Sequence, residues 1–193
     1  MAALAPDILL PAHDEALTDR AAIQQNFLVL AEALDQIVRH TIDGLNAGQR
    51  EEQIFASVAL PEHLAKHPTL KVQYVSASDI SRMLIRQYTG WWDDVPSQWT
   101  PASLQDQGNM IIELAGGNMP AISRYARDLT NRDIRLAYHL ADWLFYARPD
   151  NSEVQQLVVD VYKARILDPD TNTQEMLTYL DQMTAAPECA RSR

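Results

Sequence analysis

The chain of 193 residues has one cysteine, Cys189, in a polar tail. A disulfide framework and a cysteine-rich metal site are therefore excluded. Cations are also scarce. Sixteen Lys and Arg stand against 26 Asp and Glu, for a formal net charge of −10. A chain this acidic is ill suited to nucleic acid, whose binding depends on Lys and Arg neutralising phosphates, and to anionic lipid. No apolar run is long enough to span a membrane. No cationic start followed by an apolar stretch marks a signal peptide. As written, the sequence predicts a cytoplasmic protein, or a periplasmic or secreted one where a longer native N-terminus carries a signal. Glycine is sparse, at six residues, while Ala, Leu, Gln and Asp are frequent, which favours helix. The hydrophobic share of 47% is ordinary for a globular protein, and the length suits one domain or one with a short appendage.

Aromatic residues are few but gathered. In RQYTGWWDDVP, residues 86–96, Tyr88, Trp91 and Trp92 surround Gly90, and Trp99 follows. Gly90 is a plausible helix stop and Pro96 blocks continuation. Composition favours a packing corner where two subdomains meet. The sharper alternative is a wall for an apolar ligand or a partner subunit.

Before that cluster, Ile8-Leu9-Leu10 reads as a short buried strand. Thr18 can cap a helix to about Asn46. Its apolar positions, Ile23, Phe27, Leu30, Leu34, Ile37, Thr41 and Leu45, form nearly a heptad seam. Such a helix either crosses a core or pairs with its copy in another subunit, and the pattern leaves both open. Short helices are expected over Arg50–Ser57 and Glu62–Lys66, then an extended piece over Leu70–Tyr74. Ser78 or Asp79 can cap a helix leading to Tyr88.

The second half reads as helix pairs. One begins at Thr100-Pro101 and ends at Gly116-Gly117. The next runs from Asn118 to about Thr130, and a third from Asn131 to Ala147. A fourth opens at Asn151 or Ser152 and ends at Asp168-Pro169. The last spans about Thr173–Thr184. Ala137, Leu140, Ala141, Leu144 and Phe145 mix small and large apolar residues, as in hairpins of the tetratricopeptide kind. No clean 34-residue consensus recurs. The fold expected is an all-α bundle of antiparallel hairpins with tetratricopeptide-like packing and a short extended N-terminal segment.

No HxHxDH, HExxH, GxSxG or phosphate-binding glycine loop is present. His13, His40, His63, His67 and His139 are scattered. His63 and His67 would share a helix face, but Pro68 disfavours helix at His67. Asp93 and Asp94 are adjacent and point apart, as turn and cap residues do. The residues alone give no catalytic constellation.

Several segments, in order, nevertheless resemble the C-terminal part of the metallo-β-lactamase-fold alkyl sulfatases, chiefly their dimerisation domain. DILLPAHDEAL at 7–17 is similar to the end of that family's hydrolase domain and its PGHG loop. GLNAG at 44–48, ALPEHLAKHPTL at 59–70, YTGWWDDVP at 88–96 (the family's YLGWFDGNP), ELAGG at 113–117 and ARPDNSEVQQL at 147–157 follow. The resemblance divides the chain into a remnant at 1–17, a helical domain at 18–186 and a tail at 187–193.

It implies a zinc-dependent hydrolysis of alkyl sulfate esters in the intact family, with His13 at a metal-ligand position and Tyr74, Arg82 and Tyr88 toward the substrate. Ile23, Phe27, Leu30, Leu34, Ile37, Trp91 and Trp92 would serve the dimer or the core. Val75, Asp79, Ile80, Asp94 and Val95 depart from the family pattern near the expected substrate mouth. A carboxylate at Asp79 would repel a sulfate. A catalytic zinc needs about three protein ligands, so no zinc is expected on this chain alone. The expected partner is a second copy, or else a separate metallo-β-lactamase-like chain. The alternative is a stand-alone tetratricopeptide-like interaction module.

Overall fold

The structure is a computed structural model that describes residues 2–12 and 15–189. Among these residues it is all-α, with nine α-helices, three single 3-10 turns and no strand. Two compact units divide at Val95–Pro96 and are taken separately.

The first unit is built on α1, Arg20–Asn46. Its cap is Asp19, whose carboxylate accepts from the N–H groups of Ala21 and Ala22, and not the expected Thr18. A carboxylate at the positive helix end outcompetes a hydroxyl. The buried face of α1 carries Ile23, Val29, Ala33, Ile37, Thr41 and Gly44. Leu30 and Leu34 of the expected seam are 44% and 39% exposed, and Phe27 is half-buried. The buried positions Val29, Ala33 and Gly44 are rotated about 60–120° to one side of the Ile23–Thr41 line, so Leu30 and Leu34 lie on the rim of the buried face and not at its centre.

Three short elements lie against α1 or its neighbours: α2 (Glu51–Ser57), α3 (Glu62–Ala65) and the 3-10 turn Pro68–Leu70. Val29, Ala33 and Leu64 form a small core with Leu60 and Leu70 beside it. α4, Ala77–Thr89, packs on both α1 and α2. Its cap is Ser76, in a reciprocal box with Asp79, rather than Ser78 or Asp79. Gly90, at φ 81°, ends it in a conformation that favours glycine.

Two extended readings are corrected. Ile8 and Leu10 are 59% and 76% exposed, and among the described residues only a Leu9–Leu17 antiparallel bridge forms. A single bridge offers no sheet in which to bury a strand. Over 70–74 no strand forms, because Pro68 starts a 3-10 turn and the chain then bends through a loop to the α4 cap.

The second unit holds α5 (Leu104–Leu114), α6 (Met119–Thr130), α7 (Ile134–Ala147), α8 (Ser152–Ile166) and α9 (Thr173–Cys189). α7 packs against α5, α6 and α8, while α6 and α9 also pack on α8. Ala137, Ala141 and Leu144 of α7 and Val154, Leu157, Val158 and Val161 of α8 are fully buried. Each large apolar side chain so placed contributes on the order of 1.5–3 kcal/mol. Gly108 lets α5 reach α7 backbone to backbone: a Cβ there would stand 2.0 Å from the Trp143 carbonyl oxygen.

Caps shift two expected starts. α5 begins after Ser103, whose Oγ accepts from the Asp106 N–H, and Pro101 precedes the helix. α7 begins after Asp133, which caps through the Arg135 N–H, two residues beyond Asn131. Asn118 and Asn151 cap α6 and α8 as the sequence indicates. α9 continues past Thr184 to Cys189.

Candidate functional site

The second unit carries an apolar groove of about 510 Å³ across α5, α6 and α7. Gly116 and Gly117, both at positive φ, reverse the chain between α5 and α6. That reversal leaves Leu114 at the end of α5, 78% exposed, facing the same groove as Tyr125 and Leu136. Ile111, Leu140 and Trp143 line its floor or sides. The guanidinium of Arg132 lies 5.5 Å from the Tyr125 ring centroid. Apart from the tyrosine, no lining side chain titrates. Such a groove takes apolar side chains or an aliphatic chain.

A second apolar surface lies on the first unit. Leu28, Leu30 and Leu34 of α1 are each more than a third exposed. Leu30 and Leu34, four positions apart, share one side of this 27-residue helix, whereas Leu28 lies about 160° round from Leu30.

The residues expected near substrate are not gathered by α4. Arg82 and Tyr88 are six positions apart on it, about 120° in azimuth. Arg82 lies over the Phe55 ring at 4.5 Å, a cation–π contact that ties α4 to α2. Tyr88 is 63% exposed, and Tyr74 is 47% exposed in the preceding loop. Asp79 is held by its cap: Oδ2 accepts from the Ser76 N–H and Oγ–H, both at 2.8 Å.

The tryptophan stretch is not the buried corner that composition favours. Trp91 and Trp99 are 65% and 63% exposed, and Trp92 is half-buried with its ring edge-on to Trp91 at 5.8 Å. The chain leaves helix at Gly90, and the Val95 N–H bonds back to Asp93 while Asp94 takes φ 61°. Of the set assigned to dimer or core, Ile23 and Ile37 are core, whereas Leu30, Leu34 and Trp91 face outward.

His13 lies outside the described residues. Among the described residues no three His, Cys, Asp or Glu side chains gather as a metal-binding group. His63 bonds Glu32 at 2.9 Å, and His67 Nδ1 accepts from the Thr69 N–H. The described residues therefore do not gather the three or more ligands that a catalytic zinc needs.

Sequence reasoning missed a polar–aromatic cluster in the second unit. Tyr162 Oη donates to Asp142 Oδ1 at 2.7 Å. The Tyr162 ring stacks on Tyr138 at 6.3 Å and on Tyr179 at 5.1 Å. Burial pushes the Asp142 carboxyl above the usual carboxylate range, against the pull of the Tyr162 hydroxyl. Burial likewise pushes the Tyr162 phenol far up, with the Asp142 charge adding to it. One signal was available: Tyr138, Asp142 and Tyr146 recur every four residues, which sets a polar–aromatic stripe on one face of α7.

Comparison with known proteins places this arrangement. A linear primary-alkylsulfatase of a Pseudomonas strain is 25% identical over 112 residues, which cover 58% of this chain and 21% of that enzyme. An alkyl/aryl-sulfatase of Saccharomyces cerevisiae is 21% identical over 154 residues, 80% of this chain and 24% of that protein. The solved structure of a stereoselective inverting sec-alkylsulfatase from Pseudomonas sp. superposes with a TM-score of 0.84 at 21% identity, covering 93% of this chain and 28% of that one. A double mutant of a sec-alkyl sulfatase gives 0.83 at 22% identity, covering 95% of this chain and 28% of that one. The chain thus spans about a quarter of the length of the proteins it matches, and at this identity the superpositions speak for the fold. The model of one family, alkyl sulfatase dimerisation, matches residues 50–185, most of α2 to α9, and the chain belongs to that family.

Proposed function

We propose that this chain is the self-association and substrate-lid region of an alkyl-sulfatase-like zinc hydrolase of sulfuric esters, with the metal site supplied by other sequence. The observation that carries the reading is the apolar groove on α5–α7, which lies inside the residues matched by the dimerisation family. An open groove of aliphatic and aromatic residues is stabilised when a second surface removes it from water, at roughly 25 cal/mol per Å² of apolar area. A second copy of the chain is that surface in this reading. The exposed leucines of α1 supply further apolar area. Residues 1–17 are read as the end of a hydrolase domain, and Tyr74, Arg82 and Tyr88 as lid residues, of which Arg82 also ties α4 to α2 through Phe55.

Sedimentation equilibrium tests the proposal. A chain of 21.8 kDa that sediments at twice its mass at micromolar concentration supports it. A monomer under those conditions overturns it.

A second reading rests on a packing pattern. Helices pack with their next-but-one neighbours, α5 with α7 and α6 with α8, as stacked hairpins do. On that reading the groove holds a segment of an unrelated protein. Capture of a partner peptide by a monomeric chain would favour it over self-association.

A further inference from the structure

The cluster around Asp142 borders a small cavity of about 190 Å³, lined by Asp142 and Tyr146 of α7, Tyr162 of α8, and Thr178, Tyr179 and Gln182 of α9. Ligand sites for drug-sized molecules run to about 300–1,000 Å³. This one therefore takes a head group. Its lining is selective in charge. Asp142 is the only carboxylate at the cavity, and no lining residue is cationic. Its one hydrogen bond among the described residues comes from a neutral phenol, and no ion pair neutralises it there. His139, one turn earlier on the same helix, acts weakly on the Asp142 carboxyl by charge, and its ring lies against Tyr138 at 5.2 Å and Trp143 at 6.0 Å. Arg165, beyond Tyr179, is engaged by two carboxylates, Asp168 at 2.9 Å and Glu175 at 3.3 Å.

A half-buried carboxylate with no ion-pair partner is costly unless a charge of opposite sign joins it. Tyr146 and Tyr179 line the cavity with it, and an aromatic face offered to a cation attracts it, whereas the Tyr162 ring is itself stacked on Tyr138 and Tyr179. Asp142 on one side and Tyr146 and Tyr179 on the others make a carboxylate-and-aromatic pocket.

We infer that this cavity binds a small organic monocation, an alkylammonium head group, held by the Asp142 carboxylate and the tyrosine rings. The ammonium enters between α7 and α9, which both pack toward α8, and rests above the Tyr162 hydroxyl. A metal cation fits less well. It needs several oxygen ligands, and the cavity offers one carboxylate with hydroxyl and amide groups on scattered elements. The inference does not depend on the hydrolase reading. The groove of that reading is lined by a different set of residues.

Isothermal titration of the full chain with tetramethylammonium chloride, against sodium chloride at equal ionic strength, tests it. Saturable heat with one site per chain is expected. Asp142→Asn should weaken binding by roughly tenfold or more, and Tyr146→Ala should weaken it too. The amide oxygen introduced by Asp142→Asn can still accept from the Tyr162 hydroxyl, and Tyr146 is 46% exposed, so both variants are expected to fold. Their circular dichroism melts verify this. An uncharged isostere, 3,3-dimethylbutan-1-ol, should bind much more weakly. Absence of saturable heat, equal affinity in the folded Asp142→Asn chain, or equal affinity for the alcohol would each overturn the inference.

Discussion

Thr41 Oγ1 and Ser81 Oγ meet at 2.8 Å with both side chains fully buried, and they join α1 to α4. Thr41 Oγ1 also donates to the Ile37 carbonyl at 2.7 Å, so its single hydrogen is spent and Ser81 is the donor between the two. Thr41→Val leaves a buried serine without its acceptor. We expect that change to cost about 1–3 kcal/mol. Adding Ser81→Ala should recover part of the loss, since replacing both partners by apolar groups is close to neutral. A double-mutant cycle in urea, with a coupling energy indistinguishable from zero, would show that the pair does not act as described.

The self-association reading makes a separate demand on the groove. Leu136 is 54% exposed on α7 and lines it. A charge there would be desolvated in any apolar interface, at a cost of several kcal/mol, but would remain in water in the monomer. Leu136→Glu is therefore expected to leave the thermal melt of dilute protein within about 0.5 kcal/mol of the parent. It should weaken the dimer about a hundredfold or more. Sedimentation equilibrium across concentrations measures both chains, and an unchanged dimer constant would place the interface elsewhere. The pair Leu30→Glu and Leu34→Glu puts the same question to α1.

Asp142 sets a pH dependence. Its native carboxyl ionises above the value of the unfolded chain, about 3.9. Between these two values the folded protein holds the proton more tightly than the unfolded chain does. Stability contributed by this group is therefore full below about pH 3.9 and is lost as pH rises through the native value. Asp142→Asn removes the ionisation and keeps an acceptor for Tyr162. The variant should gain stability relative to the parent as pH rises through that window. Urea melts at several pH values follow the difference, and a constant offset between the chains would contradict the account.

Asn151 caps α8 through the N–H groups of Glu153 and Val154, at 2.9 and 3.1 Å. Because α8 carries much of the buried core of its unit, loss of the cap is transmitted to the fold. Asn151→Ala is expected to cost about 1 kcal/mol, with Asn151→Ser much less. Thermal melts of the two variants separate a cap from a mere loop contact.

The second unit was legible because its punctuation is chemical. Gly116-Gly117, Asn118, Asn151 and Asp168-Pro169 mark helix ends by φ preference or by a side-chain acceptor, and the structure uses them so. Where neighbouring acceptors competed, sequence order alone did not decide: Asp19 capped ahead of Thr18 and Asp133 ahead of Asn131, while at α4 the hydroxyl of Ser76 took the cap and Asp79 completed the box. The buried face of α1 was harder. Ile23, Ile37 and Thr41 lie on both the counted seam and the true one, but small residues, Ala33 and Gly44, complete the inner face while Leu30 and Leu34 face out. Hydrophobicity counts favour large residues, whereas close helix packing admits small ones. The Asp142 cluster was missed for a related reason: its members come from three helices, and only the α7 stripe is periodic in the sequence.

The contact of Gly108 with the Trp143 carbonyl has a mechanical consequence. It works as a notch. Sliding α5 along α7 by one turn, about 5.4 Å, would bring Leu104 or Ile112 to the place where not even a methyl group fits. The two helices therefore have one seating and no neighbouring one a turn away. Pulled along their length, they do not creep in steps. A pull along their axes is expected to part them sideways before it steps one past the other.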